Sequence, residues 1–375
     1  MNLYFDNGAT SFPKPPECAA ETARYLSDLG GTYGRGFSNR ALEVSRGVES
    51  LRDRLAGLFG AADASKLVFT PNATLGINTV IRGLELRGRT VYVSPLEHNA
   101  VARPLRRLEC AGEIEIRTLP GLSDGRVDLD GIQKIDFRGT GLICINHQSN
   151  VNGVIQPAAE IKARAPAVPL LLDAAQSAGE VPIDFDGWGI DYLAFTGHKG
   201  LLGPTGTGGL VLRDEALLKP LIDGGTGSLS ESAETPAFLP DKYEAGTPNI
   251  AGIFGLAASV NHRPKSAHTR DQFLGLMQKL AELPGCRVLG ASDREHQGEL
   301  FSLTADRLDA SEFGRRLYEG FGIETRVGLH CAPWAHRSLG TYPVGTVRIA
   351  PSPYQNETEF AYLIDAVATV LADPG

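Results

Sequence analysis

A lysine and an aspartate stand at the ends of two apolar segments, where a solvated surface charge is badly placed. Lys199 follows the segment 191–195, and Asp173 ends the segment 168–172. In enzymes that use pyridoxal 5'-phosphate (PLP), a lysine holds the cofactor as a Schiff base and a carboxylate keeps the pyridine nitrogen protonated. The pair therefore indicates a PLP site. A buried ion pair, or two unrelated strand ends, remains an alternative.

The phosphate of such a cofactor needs an anion site, and one strand–turn–helix segment offers it. Residues 67–70 are typical of a strand and 75–84 of a helix, with Asn72, Ala73 and Thr74 in the turn between them. Unpaired N–H groups at a helix start, together with the Thr74 hydroxyl, bind anions through hydrogen bonds and the helix dipole. The alternative is that Asn72 or Thr74 acts only as an N-cap.

Three further polar side chains are candidates for contacts with the cofactor. The imidazole of His98 can stack on an aromatic ring, and the amides of Asn150 and Gln176 can donate to a phenolic oxygen. Each also has an ordinary interpretation. A histidine can simply be hydrogen-bonded, and amides often satisfy loop backbone.

A cysteine late in the chain suggests a second reactive group. Cys331 lies in the polar segment 326–333, where Arg326 and His330 would favour the thiolate, the reactive form of cysteine. Arg348 is a charge within a strand-like run, and a guanidinium is a natural bidentate partner for a substrate carboxylate. The alternatives are a buried structural thiol and an arginine on a surface strand.

The elements that must position these residues alternate along the chain. Helical patterns cover 17–29, 40–60, 72–84 and 157–165. Short apolar strands alternating with helices are typical of an α/β fold whose mainly parallel sheet is covered on both faces and binds ligands beyond the carboxyl ends of its strands. The segments that we expect to be strands are 67–69, 90–93, 114–116, 141–145, 170–172, 192–195 and 209–212.

The last third of the chain predicts a second, smaller domain. A polar, glycine-rich stretch over 223–241 is typical of a long exposed loop. Helical patterns at 250–260 and 269–283 then lead into alternating strands and helices, which indicates a small α+β domain. We expect a large cofactor-binding domain over 15–250 and a small domain, carrying the cysteine loop, over 1–14 and 251–375.

Composition narrows the class of protein. A length of 375 residues, with 42% hydrophobic and 21% charged residues, is typical of a globular chain of more than one domain. A net charge of −8 argues against nucleic-acid binding. No stretch approaches the roughly 20 apolar residues that span a bilayer. Five scattered cysteines without a CxxC pair indicate reduced thiols rather than a disulfide framework or a metal site, so we expect a cytoplasmic protein.

Eight motifs follow one another along the chain, at 4–10, 72–74, 97–99, 146–150, 173–177, 196–199, 244–249 and 326–332. Together and in this order, they resemble the motifs of class V aminotransferase-fold PLP enzymes, specifically the cysteine desulfurases and selenocysteine lyases. The last of them, in the form Arg-x-Gly-x-His-Cys-Ala, resembles the group II branch of that family.

The resemblance implies a PLP-dependent transferase of fold type I, in the aspartate aminotransferase superfamily. It also implies that Thr247 of one subunit reaches the phosphate held by the other, so the protein would be a homodimer. The implied cofactor contacts are Lys199 as the Schiff-base lysine, Asp173 at the pyridine nitrogen, His98 on the ring, Gln176 at the phenolic oxygen, and Asn72, Ala73, Thr74, Thr196 and His198 at the phosphate.

The same resemblance implies a reaction. Asn150, Arg348 and Arg326 would bind the substrate, while Lys199 removes the Cα proton. Cys331 would take the sulfur of L-cysteine as a persulfide and release L-alanine. The sulfur would then supply Fe–S or other sulfur-containing cofactors, through an acceptor protein. A selenocysteine lyase, an aminotransferase, an epimerase and a non-enzymatic scaffold are the alternatives.

Two positions depart from the family pattern. Leu329 stands where many group II members carry a second histidine, and residues 34–39 differ from the usual His-Arg-Gly-x-His form. The departures leave open the choice between cysteine and selenocysteine and the identity of the sulfur acceptor.

Overall fold

The computed structural model describes residues 1–34, 36–214 and 218–372. A π-helix, Tyr25–Leu29, continues α1, and a 3-10 turn, Ala64–Lys66, precedes β1. The α-helices are Pro16–Arg24 (α1), Asn39–Leu58 (α2), Ala73–Gly83 (α3), Asn99–Cys110 (α4), Leu129–Ile132 (α5), Ala158–Arg164 (α6), Ile250–Asn261 (α7), Arg270–Ala281 (α8), Ala310–Phe321 (α9), Pro333–Ser338 (α10) and Glu357–Ala372 (α11). The strands are Leu67–Thr70 (β1), Arg89–Val93 (β2), Ile114–Thr118 (β3), Thr140–Asn146 (β4), Leu170–Asp173 (β5), Tyr192–Thr196 (β6), Gly208–Leu212 (β7), Cys286–Leu289 (β8), Phe301–Ala305 (β9), Arg326–Gly328 (β10) and Thr346–Ile349 (β11).

The larger sheet has seven strands in the order β1-β7-β6-β5-β4-β2-β3. Strands β3, β2, β4, β5 and β6 run parallel, and β7 pairs antiparallel with both β6 and β1. Each of the seven predicted strands is present, with ends that differ by no more than two residues. The predicted α/β fold with a mainly parallel sheet is thereby confirmed.

Apolar side chains cover both faces of this sheet. On one face, Val48 of α2 and Phe254 of α7 belong to a cluster that also contains Leu193 of β6. On the other face, Ile77 of α3 and Val101 of α4 pack in a second cluster. Full burial of such a side chain contributes about 1.5–3 kcal/mol, so the two clusters hold the strands and fix the carboxyl ends of the parallel strands at one edge.

The smaller sheet has four antiparallel strands in the order β10-β11-β9-β8. Phe301 and Phe313 lie in its core, together with Phe5 from the start of the chain. Asp6 forms a bridge to Ala350, so the first residues extend this sheet. The N-terminal segment therefore packs with the C-terminal part of the chain.

The predicted division of the chain into two domains at residue 250 stays a prediction. Helix α7 begins at this residue and packs against the larger sheet. Residues 223–241, expected to form a long loop, contain no helix or strand. Across the three described ranges, no helix is long and apolar enough to cross a membrane.

A buried ion pair ties α2 to the segment that precedes Thr247. The Nη1 atom of Arg52 lies 2.9 Å from Oε1 of Glu244, and the two side chains are 3% and 7% exposed. The same oxygen accepts the Phe69 N–H group at 2.7 Å. One carboxylate thus joins a helix, a strand and a loop.

Arg52→Met is expected to lower the free energy of unfolding by about 3–5 kcal/mol, because it leaves the Glu244 carboxylate buried without its partner. Chemical denaturation of the purified apoprotein measures this. Arg46→Met, at an exposed position of the same helix, is the control and should change stability by no more than about 0.5 kcal/mol. Equal stability of the two variants would contradict the structural role of the pair.

Candidate cofactor and substrate site

A cavity opens at the carboxyl edge of the larger sheet, beyond β4, β5 and β6. It is the place where ligands bind in open α/β sheets. The structure brings most of the predicted cofactor residues to its walls. Those residues are Asn72, Ala73, Thr74, His98, Asn150, Asp173, Gln176, Thr196, His198 and Lys199.

Lys199 and Asp173 line this cavity, and burial shifts the pKa of each from its ordinary value. Burial raises the pKa of Asp173, and the Ala175 N–H group, 2.9 Å from Oδ1, and the Lys199 charge lower it in part. Burial lowers the pKa of Lys199 to about 8, and Asp173 opposes the shift. A lysine that loses its proton near neutral pH is the form that attacks a carbonyl and accepts a proton.

His98 caps α4 and faces the cavity as a neutral ring. Its Nδ1 accepts the Ala100 N–H group at 3.0 Å, so the ring proton is on Nε2. Burial lowers the pKa of His98 to about 3, and the Lys199 charge adds to the shift. A neutral imidazole stacks on a protonated pyridine without the repulsion that an imidazolium would bring.

The start of α3 supplies the anion site. Asn72 is the N-cap, and its Oδ1 accepts the Leu75 N–H group at 3.0 Å. Ala73 and Thr74 lie in the first turn, so their N–H groups have no partner within the helix. The capping alternative thus holds for Asn72 and not for Thr74. Because an N-cap leaves the other first-turn donors available, the cap and the anion site coexist.

Buried polar atoms without partners mark where a polar ligand fits. Among the described residues, Nδ1 of His198 and Oδ1 of Asn150 are buried and make no hydrogen bond within the chain. Buried polar atoms are otherwise nearly always paired. With an amine, a carboxyl and a helix start in the same cavity, the residues fit the aldehyde, pyridine nitrogen and phosphate of PLP.

Two amides also hold backbone. Nε2 of Gln176 donates to the Gly8 carbonyl at 2.8 Å, and Nδ2 of Asn150 donates to the His330 carbonyl at 2.6 Å. The ordinary interpretation of both amides therefore holds. It leaves the Asn150 oxygen for a ligand.

Two arginines and an aspartate lie beside this cavity. Arg326 and Arg348 are opposite each other in the β10–β11 pair. The side chain of Arg348 is 2% exposed, and its Nη2 lies 2.6 Å from Oδ1 of Asp6. Its Nη1 donates to the Asn150 carbonyl at 3.1 Å. Its Nε makes no hydrogen bond to any of the described residues. Arg326 lies 3.9 Å from the other Asp6 oxygen. The structure thus places the predicted carboxylate-binding arginines together.

Sequence reasoning missed Asp6 and Gly8 as parts of this site. A Cβ atom on Gly8 would lie 2.9 Å from Cζ of Arg348, so only glycine lets the guanidinium lie against this backbone. Both residues belong to the motif 4–10. That motif was the available signal, and its contact with Arg348 could not be read from it.

If Arg348 binds the substrate carboxylate, as the resemblance implies, Gly8→Ala is expected to raise KM for the substrate about tenfold and to change kcat much less, because the new methyl group displaces the Arg348 guanidinium. Steady-state kinetics of the purified protein measures both constants. Gly275→Ala is the control, since nothing lies within 4 Å of the added methyl group on α8. An unchanged KM in Gly8→Ala would contradict the assignment of Arg348 to the substrate carboxylate.

Cys331 lies on an exposed turn between β10 and α10. The φ angles of His330 and Cys331 are 47° and 58°, in the left-handed region that non-glycine residues rarely adopt. The turn is held in two places: the Cys331 carbonyl accepts the Asn99 N–H group at 2.8 Å, and the His330 carbonyl accepts from Asn150. The thiol is therefore presented on a fixed turn beside the start of α4.

The ring of His330 anchors this turn and does not act as a cation. It is buried, and its Nε2 lies 2.8 Å from Oγ1 of Thr346, which donates to Ser302 at 2.9 Å. Burial lowers the pKa of His330 to about 2. The prediction that Arg326 and His330 favour the Cys331 thiolate stays a prediction.

Thr247 does not line the cofactor cavity of its own chain. It is exposed, and it lies in a separate cavity of about 420 Å³ that reaches Pro71 and Leu75 on the other side of the α3 start. Its predicted contact with the phosphate of a second subunit stays a prediction.

The structure describes one of the two departures from the family pattern in full and the other only in part. Leu329 lies, partly buried, in the cysteine turn. Of the segment 34–39, Arg35 lies outside the described residues. In the part of the chain that the structure describes, no group of three or more histidine, cysteine, aspartate or glutamate residues could hold a metal ion.

Comparisons with known proteins show which proteins this chain is similar to. The chain is 33% identical to a probable cysteine desulfurase of Mycobacterium leprae, across 98% of this chain and 91% of that protein. It is 32% identical to a probable cysteine desulfurase of Methanothermobacter thermautotrophicus, across 100% and 96%. The cysteine desulfurase of Thermococcus onnurineus superposes with a TM-score of 0.90 at 28% identity, covering 99% of this chain and 94% of that one.

The family model of the class-V aminotransferases matches residues 3–363. This match and the relatives confirm the resemblance drawn from the eight motifs. The chain belongs to the aminotransferase class-V family.

Proposed function

We propose that the chain is a PLP-dependent cysteine desulfurase that converts L-cysteine to L-alanine and keeps the sulfur as a persulfide on Cys331. One observation carries the proposal. The exposed Cys331 turn accepts hydrogen bonds from Asn99 and Asn150, and Asn150 lines the cavity that contains Lys199. The family depends on PLP, and the relatives described above bear the name cysteine desulfurase.

Lys199, Asp173, His98 and the start of α3 would hold the cofactor. When bound, PLP supplies an electron sink that stabilises negative charge at the substrate Cα. An ionised carboxylate stabilises a protonated pyridine nitrogen. Asp173 would therefore keep the ring nitrogen protonated, and a protonated ring withdraws electrons more strongly.

The other steps belong to side chains of this protein. Arg348 binds the α-carboxylate, and Lys199 takes the Cα proton onto its Nζ atom and returns it to Cα after the sulfur has left. The Cys331 thiolate attacks the substrate sulfur, so that an S–S bond forms as the Cβ–S bond breaks. The bonding electron pair stays with the substrate, and Cβ takes up a proton. Cα regains its proton from Lys199, and the product leaves as L-alanine.

The assembly and the destination of the sulfur are part of the same proposal. Thr247, exposed next to the α3 start, suits a contact across the interface of a homodimer. An exposed Cys331 suits transfer of the persulfide to an acceptor protein in the cytoplasm, for Fe–S or other sulfur-containing cofactors.

Purified holoenzyme mixed with L-cysteine and a reductant tests the proposal. Equal amounts of L-alanine and sulfide are expected. A parallel reaction with L-selenocysteine tests the alternative, a selenocysteine lyase, which would release alanine from L-selenocysteine alone. Formation of pyruvate or of a keto acid, without alanine, would contradict both.

A further inference from the structure

Asp6 shares its carboxylate between the two arginines of the proposed substrate subsite. Oδ1 accepts from Nη2 of Arg348 at 2.6 Å, and Oδ2 lies 3.9 Å from Nη1 of Arg326. The side chain of Asp6 is 18% exposed and that of Arg348 is 2% exposed. Water therefore screens the Asp6–Arg348 pair only weakly, whereas the Arg326 side chain is 44% exposed.

The subsite has a simple balance of charge. Two guanidinium groups carry two positive charges, and Asp6 removes one of them. The remaining positive charge matches one carboxylate. Nε of Arg348 is a buried donor without a hydrogen-bond partner among the described residues, so a donor as well as a charge is available to a ligand.

We infer that Asp6 restricts the site to amino acids with a single carboxylate. The inference rests on the proposed function, in which Arg348 binds the α-carboxylate. A ligand with a second carboxylate would meet a subsite whose charge is already balanced, and would also meet the negative charge of Asp6. Specificity then comes from a repulsive element as well as an attractive one. Asp6 acts through the arginines and is a positioning residue.

The inference predicts opposite effects for two substitutions. Asp6→Asn retains an oxygen that accepts from Arg348 and removes the negative charge, so the subsite gains in positive charge. Arg326→Gln removes the positive charge of an exposed side chain, so the subsite loses it. A purely structural role would disturb binding of all amino acids in the same direction.

Titration of holoenzymes with L-alanine and with L-aspartate, followed by the visible absorbance of the cofactor, measures both affinities without turnover. The ratio of the L-aspartate Kd to the L-alanine Kd is expected to fall about tenfold or more in Asp6→Asn and to rise in Arg326→Gln. Asp28→Asn, at an exposed position in Tyr25–Leu29, is the control and should keep the wild-type ratio. Thermal melting of the apoproteins shows whether each variant is folded.

An unchanged ratio in Asp6→Asn, or a shift in the same direction in both variants, would overturn the inference. If Asp6→Asn does not fold, an unchanged ratio in Arg326→Gln alone would overturn it. The proposed function fails separately, if the wild type releases no alanine from L-cysteine, because the affinity ratio needs binding alone.

Discussion

Lys199→Ala is expected to remove the visible absorbance of the covalently held cofactor and to lower alanine release from L-cysteine by at least about 1,000-fold. The reason is that one amine has two tasks, holding the cofactor and carrying the Cα proton. Burial lowers the pKa of Lys199 to about 8, which makes the neutral amine available near neutral pH. Absorbance spectra and an alanine assay of the purified variant measure both effects.

Lys134→Ala, at an exposed position, is the matched control and should leave spectrum and rate unchanged. A Lys199→Ala protein with wild-type absorbance and wild-type alanine release would show that another amine performs both tasks. That result would remove the basis on which the cavity was assigned to PLP.

Cys331→Ala is expected to lower alanine release from L-cysteine by at least about 100-fold while the cofactor absorbance stays unchanged. The substitution removes the nucleophile that takes the sulfur. None of the residues assigned to the cofactor belongs to the Cys331 turn, so cofactor binding should be retained. The separation of the two readings distinguishes loss of chemistry from loss of the fold. Spectra and alanine release are measured on the same preparation.

Cys110→Ala is the control, since Cys110 is the other exposed cysteine among the described residues. Alanine release should be equal to that of the wild type. Full turnover by Cys331→Ala would contradict the persulfide role. It would favour a class V enzyme that eliminates sulfur without a cysteine nucleophile.

The larger sheet was predictable from the sequence, and so was the edge of this sheet at which the candidate site lies. Apolar runs such as 141–145 and 170–172 are too short for helices, and flanking turns set their limits. Because parallel strands align their carboxyl ends, Asp173 and Lys199 had to meet at one edge. The family resemblance then assigned the remaining cofactor contacts.

Contacts between distant parts of the chain were not predictable. Asp6 and Arg348 are separated by 342 positions, and no local pattern joins them. The burial of His330 was not predictable for the same reason, since it depends on Thr346 and the smaller sheet. The helix α7 was expected, and its packing against the larger sheet depends on which surfaces meet in the folded chain.

The location of the transferred sulfur tests the central claim most directly. The holoenzyme is treated with L-cysteine, its thiols are blocked, and its peptides are analysed by mass spectrometry. The account predicts one additional sulfur atom on the peptide that contains Cys331 and none on the peptide that contains Cys110. Release of alanine with Cys331 unmodified, or with the sulfur on another cysteine, would contradict it.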